Sequence, residues 1–109
     1  VLLAALPARQ AEALLRRLPC EPLTPRTVVE PRALRALLVA CRSEGHAVCD
    51  EEIEIGVRSM AVPIVNRGGQ TLAAMTISTR SDRMTVGEMR SQYLPALLRH
   101  QAWARERLG

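Results

Sequence analysis

Between Gly45 and Arg80 apolar and polar positions alternate with the period of two that strand side chains follow. The segment reads as three strands. In the second, Met60, Val62 and Ile64 share one face and Ser59, Ala61 and Pro63 the other. In the third, Ala73, Met75 and Ile77 share a face, and Ala74, Thr76 and Ser78 its opposite. One face is therefore bulky and apolar, fit to lie under helices. The other carries small residues with a few hydroxyls. Such a surface either packs tightly on another layer or leaves room beside the sheet for a small molecule, and alternation alone does not choose between them. Asn66-Arg67-Gly68-Gly69 is a hairpin signal between the second and third strands. Pro63 cannot donate to a ladder, so its position implies an edge or a bulge.

Outside this stretch the period changes to that of helices. Ala11, Leu14, Leu15 and Leu18 predict an amphipathic helix over Pro7 to Leu18, with Pro7 in its first turn. Pro19, Pro22 and Pro25 then hold the chain extended. A second helix is predicted from Pro31, with Leu34, Leu37, Leu38 and Cys41 on its apolar stripe, Arg32, Arg35 and Arg42 facing water, and Gly45 as its stop. Thr85-Val86-Gly87-Glu88 has the capping-box pattern. A long helix is expected to follow to about Arg107, buried along Met89, Tyr93, Ala96, Leu97 and Ala104 and kinked at Pro95. Helices over three antiparallel strands make an α+β layer with two free sheet edges. The chain opens on VLLAALP without an initiator Met, which reads as a helix entered partway and points to part of a longer protein.

Composition narrows the function classes. At 109 residues the chain is one domain or a piece of one, and 48% hydrophobic content argues against disorder. The net charge of +4 comes entirely from arginines, with no lysine. These are scattered, aromatic residues are nearly absent, and the densest charge cluster, Asp50-Glu51-Glu52 with Glu54, has the wrong sign for DNA. No apolar run approaches a membrane span and no signal peptide is visible. Three cysteines without a paired motif suggest reduced thiols in a cytoplasm, with Cys41 in the core.

Catalytic chemistry finds little footing. No nucleophile motif surrounds Ser59, Ser78 or Ser81. Glu51 and Glu52, read as neighbours in a strand, point to opposite faces and make no dyad. Strand alternation splits Cys49 and Asp50, so no metal site is expected. Gly68-Gly69 opens no helix and is no phosphate cradle.

The segment GHAVCDEEIEIGVRSMAVPIVNRGGQTLAAMTISTR resembles the effector-binding domain of IclR-family transcriptional regulators. The matching residues are Gly45, Glu51, Glu52, Gly56, Arg58, Ser59, Ala61, Val62, Pro63, Ala73, Ala74 and Ser78. The helical regions on both sides are similar to the branch that controls aromatic-acid catabolism. The resemblance implies a GAF-like effector domain, an antiparallel sheet packed against helices with a pocket on one side. It implies a cytoplasmic, non-enzymatic homodimer or homotetramer that needs no cofactor and binds a small organic acid. DNA is contacted only through a separate N-terminal winged helix-turn-helix, which this sequence lacks together with the first strands of the effector domain.

Carried over position by position, the ligand contacts of the family fall on Cys49, Val57, Ser59, Thr76 and Ser78. At Cys49 a thiol stands where the family has an acid. Ser59, Thr76 and Ser78 also follow from strand alternation alone. Hydroxyl and backbone N–H donors on adjacent strands would serve a carboxylate without burying a full countercharge. Arg58 alternates to the other face, where Glu52 is its expected partner, and Glu52 is also expected to accept N–H groups of the Glu54–Val57 loop. The alternative is an oligomerisation module whose small-residue face holds no ligand.

Overall fold

The computed structural model describes residues 1–109. A short 3-10 turn, Leu3–Ala5, leads into α1 (Ala8–Arg17) and, after an extended stretch, α2 (Pro31–Glu44). Strands β1 (Ala47–Asp50), β2 (Val57–Val65) and β3 (Thr71–Arg80) follow, then α3 (Val86–Gln92) and α4 (Leu94–Arg107). The sheet is antiparallel throughout, in the order β1-β2-β3. This is the α+β layer that the periodicities predict.

The two sheet faces separate as the alternation requires. Met60 and Val62 on β2 are fully buried against Met89 of α3 and Leu97 of α4, with Val48, Met75, Ile77 and Tyr93 packed around them. Cross-strand pairing puts Met60 opposite Ile77 and Val62 opposite Met75, so the bulky set of both strands lies on one side. Only nine of the 109 residues are buried, and the molecule is 18 Å along its thinnest axis. One layer of side chains between the sheet and α3–α4 is its main core, with Ala4, Ala11 and Cys41 buried apart from it among the N-terminal turn, α1 and α2. No helix is long and apolar enough to cross a membrane.

Local chemistry fixes the element ends. Gly45 takes φ of 77° at the end of α2, a left-handed conformation that glycine adopts freely. Thr85 caps α3 by accepting the Glu88 N–H at 3.1 Å, while its own hydroxyl donates to the Glu88 carboxylate. Pro7 sits at the cap of α1, one position before the first turn expected for it. The single kinked C-terminal helix is in fact two helices that divide at Tyr93. Pro95 has no N–H for the carbonyl four residues back and its ring crowds that carbonyl, so it begins a new helix rather than bending an old one. Pro63 lies in the central strand, but β1 reaches only to Ala47 opposite Ala61, so Pro63 has a strand neighbour on one side only. A register shift follows at Ile64/Val65.

Arg35 and Arg42 do not simply face water. Arg35 Nε donates to both carboxylate oxygens of Glu12 on α1, and Arg42 Nε donates to the Ala4 carbonyl at 2.8 Å. They clamp the N-terminal turns onto α2. The apolar stripe of α1 is covered at Ala11, whereas Leu14 and Leu18 are exposed.

Candidate functional site

The small-residue face runs across all three strands in register. Cys49 lies opposite Ser59, and Ser59 opposite Ser78. With strands about 4.8 Å apart, this row spans roughly 10 Å. The next row is Ala47, Ala61 and Thr76, and on the other side Val57 faces Arg80. The structure thus brings Cys49, Val57, Ser59, Thr76 and Ser78 onto one face, opposite the one that α3 and α4 cover. In the Cys49 and Thr76 rows the other members are Ala47 and Ala61, so no bulky side chain fills those rows. The face is sheltered at β1 and β2, where Cys49, Ser59 and Ala61 are half-buried, and open at β3, where Ala74, Thr76 and Ser78 are exposed. At its far end the N-terminal turn approaches, and Ala4, Ala5, Gly45, Pro63 and Thr71 border a recess of about 200 Å³.

The β1–β2 loop and the extended stretch before α2 build the wall beside Cys49. Glu51 and Glu52 lie in this loop, beyond the end of β1, and Glu51 has a positive φ of 58°. The acceptor role expected of Glu52 falls to its neighbour. Glu51, not Glu52, accepts the Gly56 N–H at 3.0 Å, because the left-handed turn at Glu51 folds its side chain back over the loop. Glu52 instead accepts the Val28 N–H at 3.0 Å and stands beside the Cys49 thiol. Thr24 donates to the Glu51 carbonyl and Thr27 to the Glu52 carbonyl, and Arg26 pairs with Asp50 and Glu51 at 2.9 Å each. Residues 24–28 are thus strapped to the loop at the margin of the face.

Arg58 occupies the opposite face, as alternation predicts, but its partner is Asp50, at 2.7 Å and directly across the ladder, rather than Glu52. It also donates to the carbonyls of Ser81 and Met84. The Arg58 hydrogen bond holds the Asp50 carboxyl below its ordinary range, aided by the charges of Arg58 and Arg26. At Cys49 burial pushes the thiol pKa up, and the Glu52 charge pushes the same way. Cys49 is therefore a neutral thiol near pH 7, a weak donor rather than a nucleophile. No three His, Cys, Asp or Glu side chains gather as a metal site would require.

One polar residue of the face escaped the sequence reading. Arg80 pairs across the ladder with Val57, so it continues the side of Thr76 and Ser78. A shallow depression of about 410 Å³ is lined by Val57, Ser78, Thr79, Arg80 and Arg83. The alternation that marks Thr76 and Ser78 would have reached Arg80 if followed two residues further.

Comparison with known proteins adds a family. The family described as the bacterial transcriptional regulator IclR C-terminal matches residues 1–106. The chain is 40% identical over 98 residues to the Pca regulon regulatory protein of Pseudomonas putida, covering 90% of this chain and 34% of that protein. It is 34% identical over 80 residues to the p-hydroxybenzoate hydroxylase transcriptional activator of Acinetobacter baylyi, covering 73% of this chain and 29% of that one. The chain thus spans about a third of the length of these curated relatives. Among solved structures, a transcriptional regulator from Rhodococcus sp. RHA1 superposes with a TM-score of 0.89 at 40% identity, over 98% of this chain and 42% of that one. The inducer-binding domain of the Acinetobacter transcription factor PobR, a double mutant in complex with 3-hydroxybenzoic acid, superposes with a TM-score of 0.91 at 28% identity, over 95% of this chain and 59% of that one.

Proposed function

Because this chain belongs to the IclR family of bacterial transcriptional regulators, to its C-terminal domain, we propose that it binds a small organic acid on the face formed by Cys49, Val57, Ser59, Thr76 and Ser78. Family membership places it among regulatory domains rather than enzymes. The observation that carries the proposal is the register itself: a thiol and two serine hydroxyls in one row, a threonine in the next, alanines between them, and the bulky core on the reverse. Side chains this small leave volume above the sheet, and their hydroxyls can donate to a carboxylate or accept from a phenol. The Glu52 carboxylate beside Cys49 adds an acceptor at the sheltered end. Aromatic acids are the first class to test, since one relative is named as the transcriptional activator of p-hydroxybenzoate hydroxylase and a similar solved structure is a complex with 3-hydroxybenzoic acid.

In this reading the whole protein is a cytoplasmic homodimer or homotetramer that touches DNA through a separate N-terminal winged helix-turn-helix. The effector acts only if it binds two arrangements of the subunits with different affinity. The test is a thermal-shift panel on the full-length protein with protocatechuate, 4-hydroxybenzoate, 3-hydroxybenzoate, β-ketoadipate, pyruvate and glyoxylate. At a hundred times its dissociation constant a ligand adds about 2.7 kcal/mol. Ser59→Leu and Ser78→Val should abolish the shift and leave the fold intact. No shift with any acid would favour an oligomerisation module with an empty face, and unfolding of both variants would make those positions core.

A further inference from the structure

Resting on that reading, we infer that Arg80, at the open end of the face, anchors the carboxylate of the acid, with Arg83 reinforcing the positive field. The row Cys49–Ser59–Ser78 supplies only neutral groups. Arg80 is the basic side chain that strand register places on the same side, two residues beyond Ser78 and across from Val57. Arg58, the other arginine of β2 and β3, is turned to the opposite face and committed to Asp50 and two carbonyls. The depression that joins Ser78 to Val57 is bordered by Arg80 and Arg83 together, and Arg83 makes no salt bridge. A guanidinium presents a planar fork that matches a carboxylate in two parallel hydrogen bonds, which a hydroxyl cannot do.

Arg80 already pairs with Asp82 at 2.6 Å, but the two side chains are 66% and 60% exposed. A pair so open to water holds weakly and can be exchanged for a ligand carboxylate. The polar end of an aromatic acid then lies toward Arg80 and its ring over Val57, Ser59 and Ser78. A hydroxyl on the ring would meet the sheltered end, near Cys49 and Glu52.

The experiment compares each acid with its neutral amide by calorimetry on the full-length protein: benzoate, 3-hydroxybenzoate, 4-hydroxybenzoate and protocatechuate against the matching benzamides. The wild type should prefer the acid. Arg80→Gln should weaken acid binding by about tenfold, the low end for a charge-assisted hydrogen bond, and leave amide binding unchanged. Asp82→Asn should tighten acid binding alone, by releasing Arg80. Equal acid binding by wild type and Arg80→Gln, or an equal loss for acid and amide, would overturn the anchor while leaving the effector face standing. Absence of binding by any acid to the wild type would overturn both.

Discussion

Arg58 and Cys49 show how single residues divide the work between the two faces. Arg58 is 12% exposed and donates to Asp50 and two carbonyls, so Arg58→Met leaves the Ser81 and Met84 carbonyls without that donor and Asp50 with Arg26 alone, and should cost about 1–3 kcal/mol in urea unfolding. The same pair has a pH signature. The folded-state pKa of Asp50 lies below its ordinary 3.8, so the pair contributes fully above that value and is lost as pH falls through the lowered one. Unfolding curves of the wild type should therefore lose stability below about pH 4, and Arg58→Met should flatten that slope. An unchanged slope would mean that the ion pair does not bear on folding. On the other face, Cys49 is half-buried with a raised thiol pKa, whereas Cys20 is exposed. Iodoacetamide at pH 7.5 should label Cys20 first, and mass mapping that finds Cys49 labelled at the same rate would contradict its shelter.

At the scale of elements, the strands were more legible than the helices. Alternation in Ser59–Ile64 and Ala73–Ser78 assigned both faces correctly, because a period of two leaves a residue only two sides to occupy. It could not show where β1 ends, since Asp50-Glu51-Glu52 continues polar through the left-handed turn at Glu51. That is why the loop-acceptor role expected of Glu52 belongs to Glu51. Nor could it show that Pro95 starts a helix, for the apolar spacing of Met89, Tyr93 and Leu97 runs unbroken across the division. Arg35 and Arg42 looked solvated because their partners lie more than twenty residues away, on turns whose packing no local pattern records. The core makes its own prediction. Met60 is fully buried between the sheet and α3, so Met60→Ala should cost about 2–5 kcal/mol. Thr85→Ala, which removes only a cap, should cost about 1 kcal/mol. Equal losses would mean that the layer under α3 and α4 is not the main source of stability.

Over the whole molecule the design is a thin sheet with one face spent on its own core and the other left small and polar. The family resemblance was readable in the strand–hairpin–strand segment. The sidedness that makes it useful, five candidate positions and Arg80 on one surface, required the pairing of three strands. The most direct test follows from that sidedness. Methyl NMR of the full-length protein, titrated with 3-hydroxybenzoate or the acid that shifts its melting most, reports each face separately. The account predicts that the Val57, Ala61 and Thr76 methyls move on binding while those of Met60, Met75 and Ile77 stay in place. Movement confined to the methionine and isoleucine methyls, or a saturable binding event that leaves Val57, Ala61 and Thr76 unmoved, would contradict it.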